Sequence, residues 1–176
     1  MKFKESFLKD ALIIELDKKF DQRGYFSRAF CKDEFNSLNL PLDFPQINLC
    51  YNTLKGTLRG LHAQCSPFEE IKYVRCLHGA IFDVIVDMRP NSPTYMKHLG
   101  IKLSEENGLG LYIPKGFYHG YITLEASSSI MYCVSTMYNP SAESGLRFDD
   151  PKLDIHWPVP VSSISQKDLS WPYIQI

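Results

Sequence analysis

The sequence lacks the features of a membrane-spanning, secreted or nucleic-acid-binding protein. Its longest nearly apolar stretch, 80–88, is shorter than a bilayer span and contains Asp83 and Asp87. The first residues have no apolar core followed by small residues, as a signal peptide would. A net charge of -1 at pH 7 gives no basic excess for nucleic acid. We therefore expect one cytoplasmic domain over residues 1–176 that binds neither membrane nor nucleic acid.

The sequence also lacks paired cysteines. Its five cysteines are scattered and odd in number, and none forms a Cys-x-x-Cys motif: Cys31, Cys50, Cys65, Cys76 and Cys133. This pattern indicates reduced thiols rather than a disulfide framework or a zinc site.

Helical periodicity is scarce, and only Lys32–Leu38 has a helical pattern. The tail after Trp157 is irregular. Short runs that alternate apolar and polar residues predominate, with turn residues between them. Besides the runs around residues 72–76, 81–88 and 130–134, strands are predicted at Ala11–Leu16, Tyr25–Cys31, Gln46–Tyr51, Leu99–Leu103, Leu109–Ile113 and Gly120–Leu124. Many short strands with little helix predict an all-β sandwich or antiparallel barrel.

Polar side chains occur within several of these strands. His62, Gln64, Lys72 and Tyr132 fall in runs that otherwise read as half-buried strands. Burial of a polar group without a partner costs about 2–7 kcal/mol, so their presence needs a reason. If they point inward together, they line a cavity.

Two segments resemble the motifs of the cupin fold, a jelly-roll barrel. They are Gly60-Leu-His62-Ala-Gln64, followed by Glu69, Glu70 and Gly79, and Pro114-Lys-Gly116-Phe-Tyr-His119. In metal-binding cupins, two His and a Glu of the first motif and the His of the second hold a divalent ion. Here Gln64 replaces the second His. We therefore predict a cupin-type barrel without a metal or other cofactor.

Longer strings resemble a more specific family. In order, they are Asp21-x-Arg-Gly-x-Phe26, Lys55-Gly-Thr-Leu-Arg-Gly-Leu-His-x-Gln64, Lys72-x-Val-Arg75, Phe82-Asp-Val-x-Val-Asp-x-Arg-x-x-Ser-Pro-Thr94, Ile113-Pro-x-Gly-Phe-x-His-Gly120, Tyr138-x-Pro-x-x-Glu-x-Gly145 and Ser165-x-Lys-Asp168. Together they resemble the dTDP-4-dehydrorhamnose 3,5-epimerases from about Asp21 to Pro172. The resemblance implies epimerisation at C3, C5 or both carbons of a nucleotide-linked 4-keto-6-deoxy sugar.

Such a reaction sets clear chemical demands. The C3 and C5 protons of a 4-keto sugar are acidic because the carbanion delocalises onto the C4 oxygen. Inversion needs a base on one face of the ring, an acid on the other and a cation or donor at the enolate oxygen. Histidine is the usual base near neutral pH, and a carboxylate behind it fixes its tautomer.

The resemblance places these roles on particular residues. It implies that His62 is the base, Asp168 its orienting partner, Tyr132 the acid and Lys72 the group that stabilises the enolate. It implies substrate or nucleotide contacts for Arg23, Phe26, Gln46, Asn48, Arg59, His119, Tyr138, Glu143 and Lys167, with Tyr138 stacked on the base. It also implies a homodimer, in which Arg23 and Phe26 of an N-terminal strand enter the neighbour's site.

The sequence departs from the family pattern at three positions. Arg28 and Ile47 replace carboxylates near the nucleotide, and Cys133 replaces a Lys after the catalytic Tyr. We therefore expect a pocket that is less selective for dTDP or that prefers another base. In addition, strict strand alternation puts Arg59 and His62 on opposite faces. A bulge or bend at Gly60 would bring both to the ligand; otherwise Arg59 serves a ligand reached from another side, or a neighbouring subunit's site.

Other functions fit parts of the same pattern. A cupin-type sugar-nucleotide 3,4-ketoisomerase is the main alternative, because small cupin-like proteins also perform that reaction. A metal-dependent cupin is disfavoured by Gln64. A sugar-binding domain without activity is disfavoured by the His62 and Tyr132 pair, since binding alone needs no opposed acid and base.

Overall fold

A computed structural model describes residues 1–40 and 43–175. The predicted domain also includes residues 41, 42 and 176, which lie outside the described residues. The strands are β1 Lys2–Glu5, β2 Leu12–Glu15, β3 Lys19–Asp21, β4 Gly24–Phe26, β5 Gln46–Asn52, β6 Leu58–Gln64, β7 Lys72–His78, β8 Ala80–Asp87, β9 His98–Ser104, β10 Leu109–Ile113, β11 Phe117–Thr123, β12 Ser128–Val134 and β13 Glu143–Gly145. The helices are α1 Lys32–Asn36, α2 Gln166–Leu169 and a 3-10 turn at Pro140–Ala142.

Two antiparallel sheets face each other. The six-stranded sheet has the order β1-β2-β10-β7-β12-β5, and the five-stranded sheet has the order β13-β6-β11-β8-β9. Strands β3 and β4 form a separate hairpin. This architecture confirms the prediction of an all-β jelly-roll barrel of cupin type with little helix.

The core lies between the sheets and continues over the back of the five-stranded sheet. Val74, Ile85 and Ile130, from β7, β8 and β12, are fully buried in the inter-sheet cluster. On the other face of β8, Val84 packs with Trp157 and other residues of the C-terminal segment. Strand β8 is therefore covered on both faces, which explains why its sequence is apolar at most positions rather than strictly alternating.

Some local boundaries differ from the sequence predictions. The strand predicted at Tyr25–Cys31 ends at Phe26, because the chain then leaves the hairpin and packs Phe30 against Phe35 and Phe44. Helix α1 ends at Asn36 rather than Leu38. Strand β1 was not predicted, since its Lys and Glu residues are mostly exposed at the edge of the sheet.

Within residues 1–40 and 43–175, no helix is both long and apolar enough to cross a membrane.

Candidate active site

A cavity of about 630 Å³ opens between the two sheets. All the residues predicted to be catalytic line it, namely His62, Lys72, Tyr132 and Asp168. Most of the predicted binding residues line it too: Gln46, Asn48, Arg59, His119, Tyr138, Glu143 and Lys167. The fold therefore brings together residues that are up to 122 positions apart, from Gln46 to Asp168.

An irregularity at Gly60 allows Arg59 and His62 to face the same cavity. His62 pairs with His119 and Arg59 pairs with Tyr121, so three steps on β6 match two steps on β11. The extra residue in β6 is a β-bulge, which confirms the bend expected at Gly60. Gly60 has a φ of 120°, and a Cβ there would lie 2.5 Å from the Cα of Gly120. Only glycine fits this position.

His62 is held by a buried carboxylate. Its Nε2 lies 2.7 Å from Oδ1 of Asp168, whose side chain is only 5% exposed, whereas the imidazole is 34% exposed. Burial raises the pKa of Asp168, but the hydrogen bond with His62, its charge and the Gly60 N–H outweigh burial and lower that pKa overall. Because the carboxylate is ionised, Nε2 carries a proton and donates it. The other ring nitrogen, Nδ1, has no hydrogen-bond partner in the part of the chain that is described, and its lone pair is the one that can accept a proton.

A short helix delivers Asp168 to this position. Helix α2 begins after Ser165, whose hydroxyl caps it by accepting a hydrogen bond from the Asp168 N–H at 3.0 Å. The tail after Trp157 was predicted to be irregular, and that prediction is wrong for residues 166–169. The signal was present in the Ser165-x-x-Asp168 spacing, which is typical of a helix N-terminus.

Lys72 forms an ion pair that the sequence did not specify. Its Nζ lies 2.7 Å from Oε1 of Glu70, and both side chains are 10% exposed. Gln64 donates from its amide to Oε2 of Glu70 at 3.2 Å. The same Gln64 accepts a hydrogen bond from the Asn139 N–H at 2.6 Å. Gln64 thus positions Glu70, and Glu70 positions Lys72.

Tyr132 reaches the cavity from the sheet opposite His62. It lies on β12 of the six-stranded sheet, whereas His62 lies on β6 of the five-stranded sheet. Burial, followed by the nearby Cys50 and Glu70, raises the pKa of Tyr132 above its ordinary value. The phenol therefore keeps its proton near neutral pH and is able to donate it.

His119 belongs to a second histidine–carboxylate pair. Its Nε2 lies 2.8 Å from Oδ1 of Asp83, and the two side chains are 9% and 0% exposed. The other oxygen of Asp83 is buried and has no hydrogen-bond partner among the described residues. Sequence reasoning did not identify Asp83, because an Asp inside an apolar strand gives no indication of its partner.

The mouth of the cavity carries a cluster of polar and aromatic groups. Glu143 accepts a hydrogen bond from the Tyr138 hydroxyl at 2.7 Å and another from the Lys167 ammonium. Gln46 donates to the side-chain oxygen of Asn48 at 2.9 Å and accepts from the Tyr138 N–H at 3.2 Å. These contacts hold the half-exposed Tyr138 ring at the entrance.

Two predicted binding residues lie outside this cavity. Arg23 and Phe26 are on the β3–β4 hairpin, where they line a smaller cavity of about 260 Å³ with Asp21 and Tyr25. Arg23 pairs with Asp21 at 2.5 Å, and Phe26 is 75% exposed. A single chain therefore does not bring these two residues to the site.

The two nucleotide-facing departures from the family pattern also lie outside the cavity of a single chain. Arg28 is exposed and pairs with Glu34 at 3.1 Å. Ile47 points away from the cavity on β5, directly opposite Cys133 on β12. Neither residue lines the cavity within one chain.

The cupin metal position has a different use in this protein. Gln64 and His119, at positions of two cupin ligands, bond to Asn139 and to Asp83 respectively. Throughout residues 1–40 and 43–175, no three His, Cys, Asp or Glu side chains are grouped closely enough to hold a metal ion. The residues present therefore do not fit a cupin metal centre.

Comparisons with known proteins show the family of this chain. The sequence model of the family dTDP-4-dehydrorhamnose 3,5-epimerase matches residues 5–175. A dTDP-4-dehydrorhamnose 3,5-epimerase of Sinorhizobium fredii is 41% identical over 173 residues, which is 98% of this chain and 89% of that protein.

Solved structures of such enzymes superpose closely on this chain. The epimerase of Bacillus anthracis, crystallised with TDP and PPi bound, has a TM-score of 0.95 and 38% identity, covering 98% of this chain and 99% of that one. The enzyme of Legionella pneumophila, in complex with dTDP-4-keto-L-rhamnose, has a TM-score of 0.89 and 34% identity, covering 99% of each chain. The chain belongs to the dTDP-4-dehydrorhamnose 3,5-epimerase family.

Proposed function

We propose that this protein epimerises C3, C5 or both carbons of a dTDP-linked 4-keto-6-deoxy sugar. The observation that carries the proposal is the placement of His62 and Tyr132 on opposite sheets of one cavity. A sugar ring bound between the sheets presents one face to an imidazole and the other to a phenol. Inversion at carbon requires such a pair, whereas binding alone does not.

In the proposed mechanism, His62 removes the proton through Nδ1, while Asp168 holds Nε2 and stabilises the imidazolium that forms. The electron pair moves onto the C4 oxygen to form an enolate. Lys72 supplies positive charge to this oxygen, and its ion pair with Glu70 fixes the ammonium in place. Tyr132 then donates its proton to the opposite face of the carbon and inverts it.

The nucleotide is proposed to bind at the mouth of the cavity. Tyr138 is 51% exposed there, and its ring offers a face on which a base can stack. The substrates of relatives support a thymidine diphosphate, since TDP and a dTDP sugar occupy the two solved structures described above. Competition by dTDP, CDP, UDP and GDP tests the base preference.

The reaction is tested by incubating the protein with dTDP-4-keto-6-deoxyglucose in deuterated water. We expect deuterium at C3, C5 or both, with inverted configuration in the NMR spectrum of the product. A 3,4-ketoisomerase would instead move the keto group to C3, and the product spectrum distinguishes the two. Bound sugar nucleotide without any exchange would contradict both enzymatic functions.

We also propose that two chains form a dimer in which the β3–β4 hairpin of each completes the other's site. Strand β5 is at the edge of the six-stranded sheet and exposes Ile47, Leu49 and Tyr51. In the hairpin, Phe20 and Phe26 are 74% and 75% exposed to solvent. An unpaired edge beside such apolar side chains favours association with a second copy.

A mixed dimer tests this arrangement. Phe26→Ala and His62→Ala should each be inactive as homodimers if Phe26 acts on the neighbour's cavity. Mixing the two should restore activity, because each heterodimer contains one cavity with both His62 and the partner's Phe26. Phe7→Ala removes another exposed ring, 64% accessible, and serves as the matched control. A monomer by light scattering, or a mixture without restored activity, would overturn the proposal.

A cytoplasmic location is the remaining part of the proposal. It is supported by the five free cysteines, since free thiols are typical of a reducing compartment. Fractionation of the native host with antibody detection tests it.

A further inference from the structure

The basic side chains that line the cavity differ in how their charge is balanced. Lys72 pairs with Glu70, Lys167 with Glu143, His62 with Asp168, and His119 with Asp83, which lies behind the cavity. Arg59 is the exception: within the part of the chain that is described, it forms no ion pair, and its one hydrogen bond goes from Nε to the side-chain oxygen of Asn52 at 2.8 Å. Its positive charge is not cancelled by the protein.

Asn52 is itself fixed by a neutral network between the two sheets. It is only 3% exposed, and its amide donates to the Tyr121 hydroxyl at 3.2 Å and to the Ser128 carbonyl at 3.3 Å. The Tyr121 hydroxyl donates in turn to the Cys50 thiol at 3.1 Å. Asn52 lies on β5 of one sheet and Arg59 on β6 of the other, so the amide holds the guanidinium from the opposite sheet.

We propose that Asn52 is a positioning residue that presents Arg59 to the diphosphate of the substrate. The amide uses Nε and leaves the two terminal nitrogens of the guanidinium for a ligand. A planar guanidinium with two free terminal nitrogens matches two oxygens of a phosphate. Because the holding group is neutral, Arg59 is oriented without losing its attraction for an anion.

The neutrality of this partner distinguishes Arg59 from the other basic groups of the cavity. Lys72 and His62 act on a charge that develops during the reaction, and a carboxylate partner suits that role. A diphosphate is already anionic before any reaction begins. A carboxylate at position 52 would satisfy the same Arg59 nitrogen but would compete with the diphosphate for its charge.

The inference rests on the proposed nucleotide-sugar substrate, and a mutant cycle tests it through binding alone. The dissociation constants of dTDP and of uncharged thymidine are measured for wild type, Asn52→Ala, Arg59→Ala and the double variant. We expect Asn52→Ala to raise the dissociation constant of dTDP roughly tenfold, which corresponds to the loss of about one charge-assisted hydrogen bond. Thymidine affinity should be unchanged. In the Arg59→Ala background, Asn52→Ala should have no further effect.

Two more variants separate positioning from folding. Asn52→Asp keeps the shape of the side chain and should also weaken dTDP binding at least tenfold, because the new carboxylate offsets the positive charge of Arg59. Asn107→Ala removes a structural amide outside the cavity, which bonds to the Lys102 carbonyl and to the Ser104 and Leu109 N–H groups. It should lower the melting temperature without changing dTDP affinity.

The inference is overturned if Asn52→Ala weakens the binding of thymidine as much as the binding of dTDP. It is also overturned if Asn52→Ala weakens dTDP binding equally in the wild-type and Arg59→Ala backgrounds. If wild type does not bind dTDP, the proposed substrate class fails instead. The same four proteins are then titrated with inorganic pyrophosphate, and the same comparison decides the role of Asn52.

Discussion

His62 and His119 lie directly opposite each other on strands β6 and β11, and each is held through Nε2 by an aspartate carboxylate. Asp168 reaches His62 from the C-terminal helix, whereas Asp83 reaches His119 from the neighbouring strand β8. In both imidazoles, Nδ1 is therefore the ring nitrogen that has no hydrogen-bond partner among residues 1–40 and 43–175. Two carboxylate-backed histidines line one face of the cavity.

The pairing of His119 with a buried carboxylate predicts a kinetic effect of Asp83→Asn. The amide keeps the size of the side chain but removes the carboxylate that holds His119 through Nε2. We expect kcat to fall about tenfold to a hundredfold, the usual cost of a hydrogen bond to a charged group. Steady-state kinetics measures this loss, and unchanged kcat would mean that Asp83 has only a structural role.

Asp87→Asn is the matched control for that experiment. Asp87 is also fully buried on β8, but its partners are Arg89, Ser92 and Thr94 rather than a cavity residue. We expect this variant to be less stable than wild type and to keep its kcat once folded. A loss of kcat equal to that of Asp83→Asn would remove the distinction between the two aspartates.

Asp87 also predicts how stability depends on pH. Burial raises its pKa, but hydrogen bonds from Arg89, Ser92 and Thr94 outweigh burial and lower it from 3.8 to about 2. Because the folded-state pKa is depressed, this stabilisation is complete above pH 4 and is lost as the pH falls towards 2; it amounts to about 2 kcal/mol. Urea unfolding should show wild type and Asp87→Asn converging below pH 4. A constant difference down to pH 2 would contradict the assignment.

Metal removal gives another prediction. Gln64 replaces a cupin ligand and is engaged with Asn139 and Glu70, so we expect activity without a metal ion. The protein is treated with a chelator, dialysed and assayed for epimerisation. Full activity is expected, and loss of activity that a divalent ion restores would show that the prediction is wrong.

Much of the barrel was predictable because strand alternation and turn residues are local signals. The run at 81–88 correctly predicted β8, although that strand is apolar on both faces, and the runs at 46–51 and 109–113 correctly predicted β5 and β10. The irregularity at Gly60 also followed from the sequence, since Arg59 and His62 could share a face only through an extra residue.

The partners of the site residues were less predictable. Asp83 of β8 acts on His119 of β11 across strands, and such a contact depends on register rather than on neighbouring residues. Glu70 lies only two positions before Lys72, but the sequence did not show that the two side chains pair. Asn52 and Arg59 are only seven positions apart, but they lie on strands of different sheets, so their contact depends on how the chain crosses from β5 to β6. The position of Arg23 and Phe26 away from the cavity follows from a hairpin that one chain leaves exposed.

The central claim is that His62 removes the proton and Tyr132 returns one to the opposite face. His62→Ala should abolish both deuterium exchange and inversion, because no enolate forms. General acid–base groups contribute about 10²–10⁴-fold, so a loss of at least that order is expected. Asp168→Asn should lie between this variant and wild type, since the imidazole remains but loses its charged support.

The Tyr132→Phe variant tests most directly whether the Tyr132 hydroxyl returns the proton to the opposite face. It keeps the ring and removes only the hydroxyl, so His62 still takes a proton and returns one to the same face. We predict that the recovered 4-keto sugar contains solvent deuterium and keeps its original configuration. NMR spectra recorded over the course of the reaction measure both. Normal inversion by Tyr132→Phe, or exchange at the wild-type rate by His62→Ala, would contradict the account.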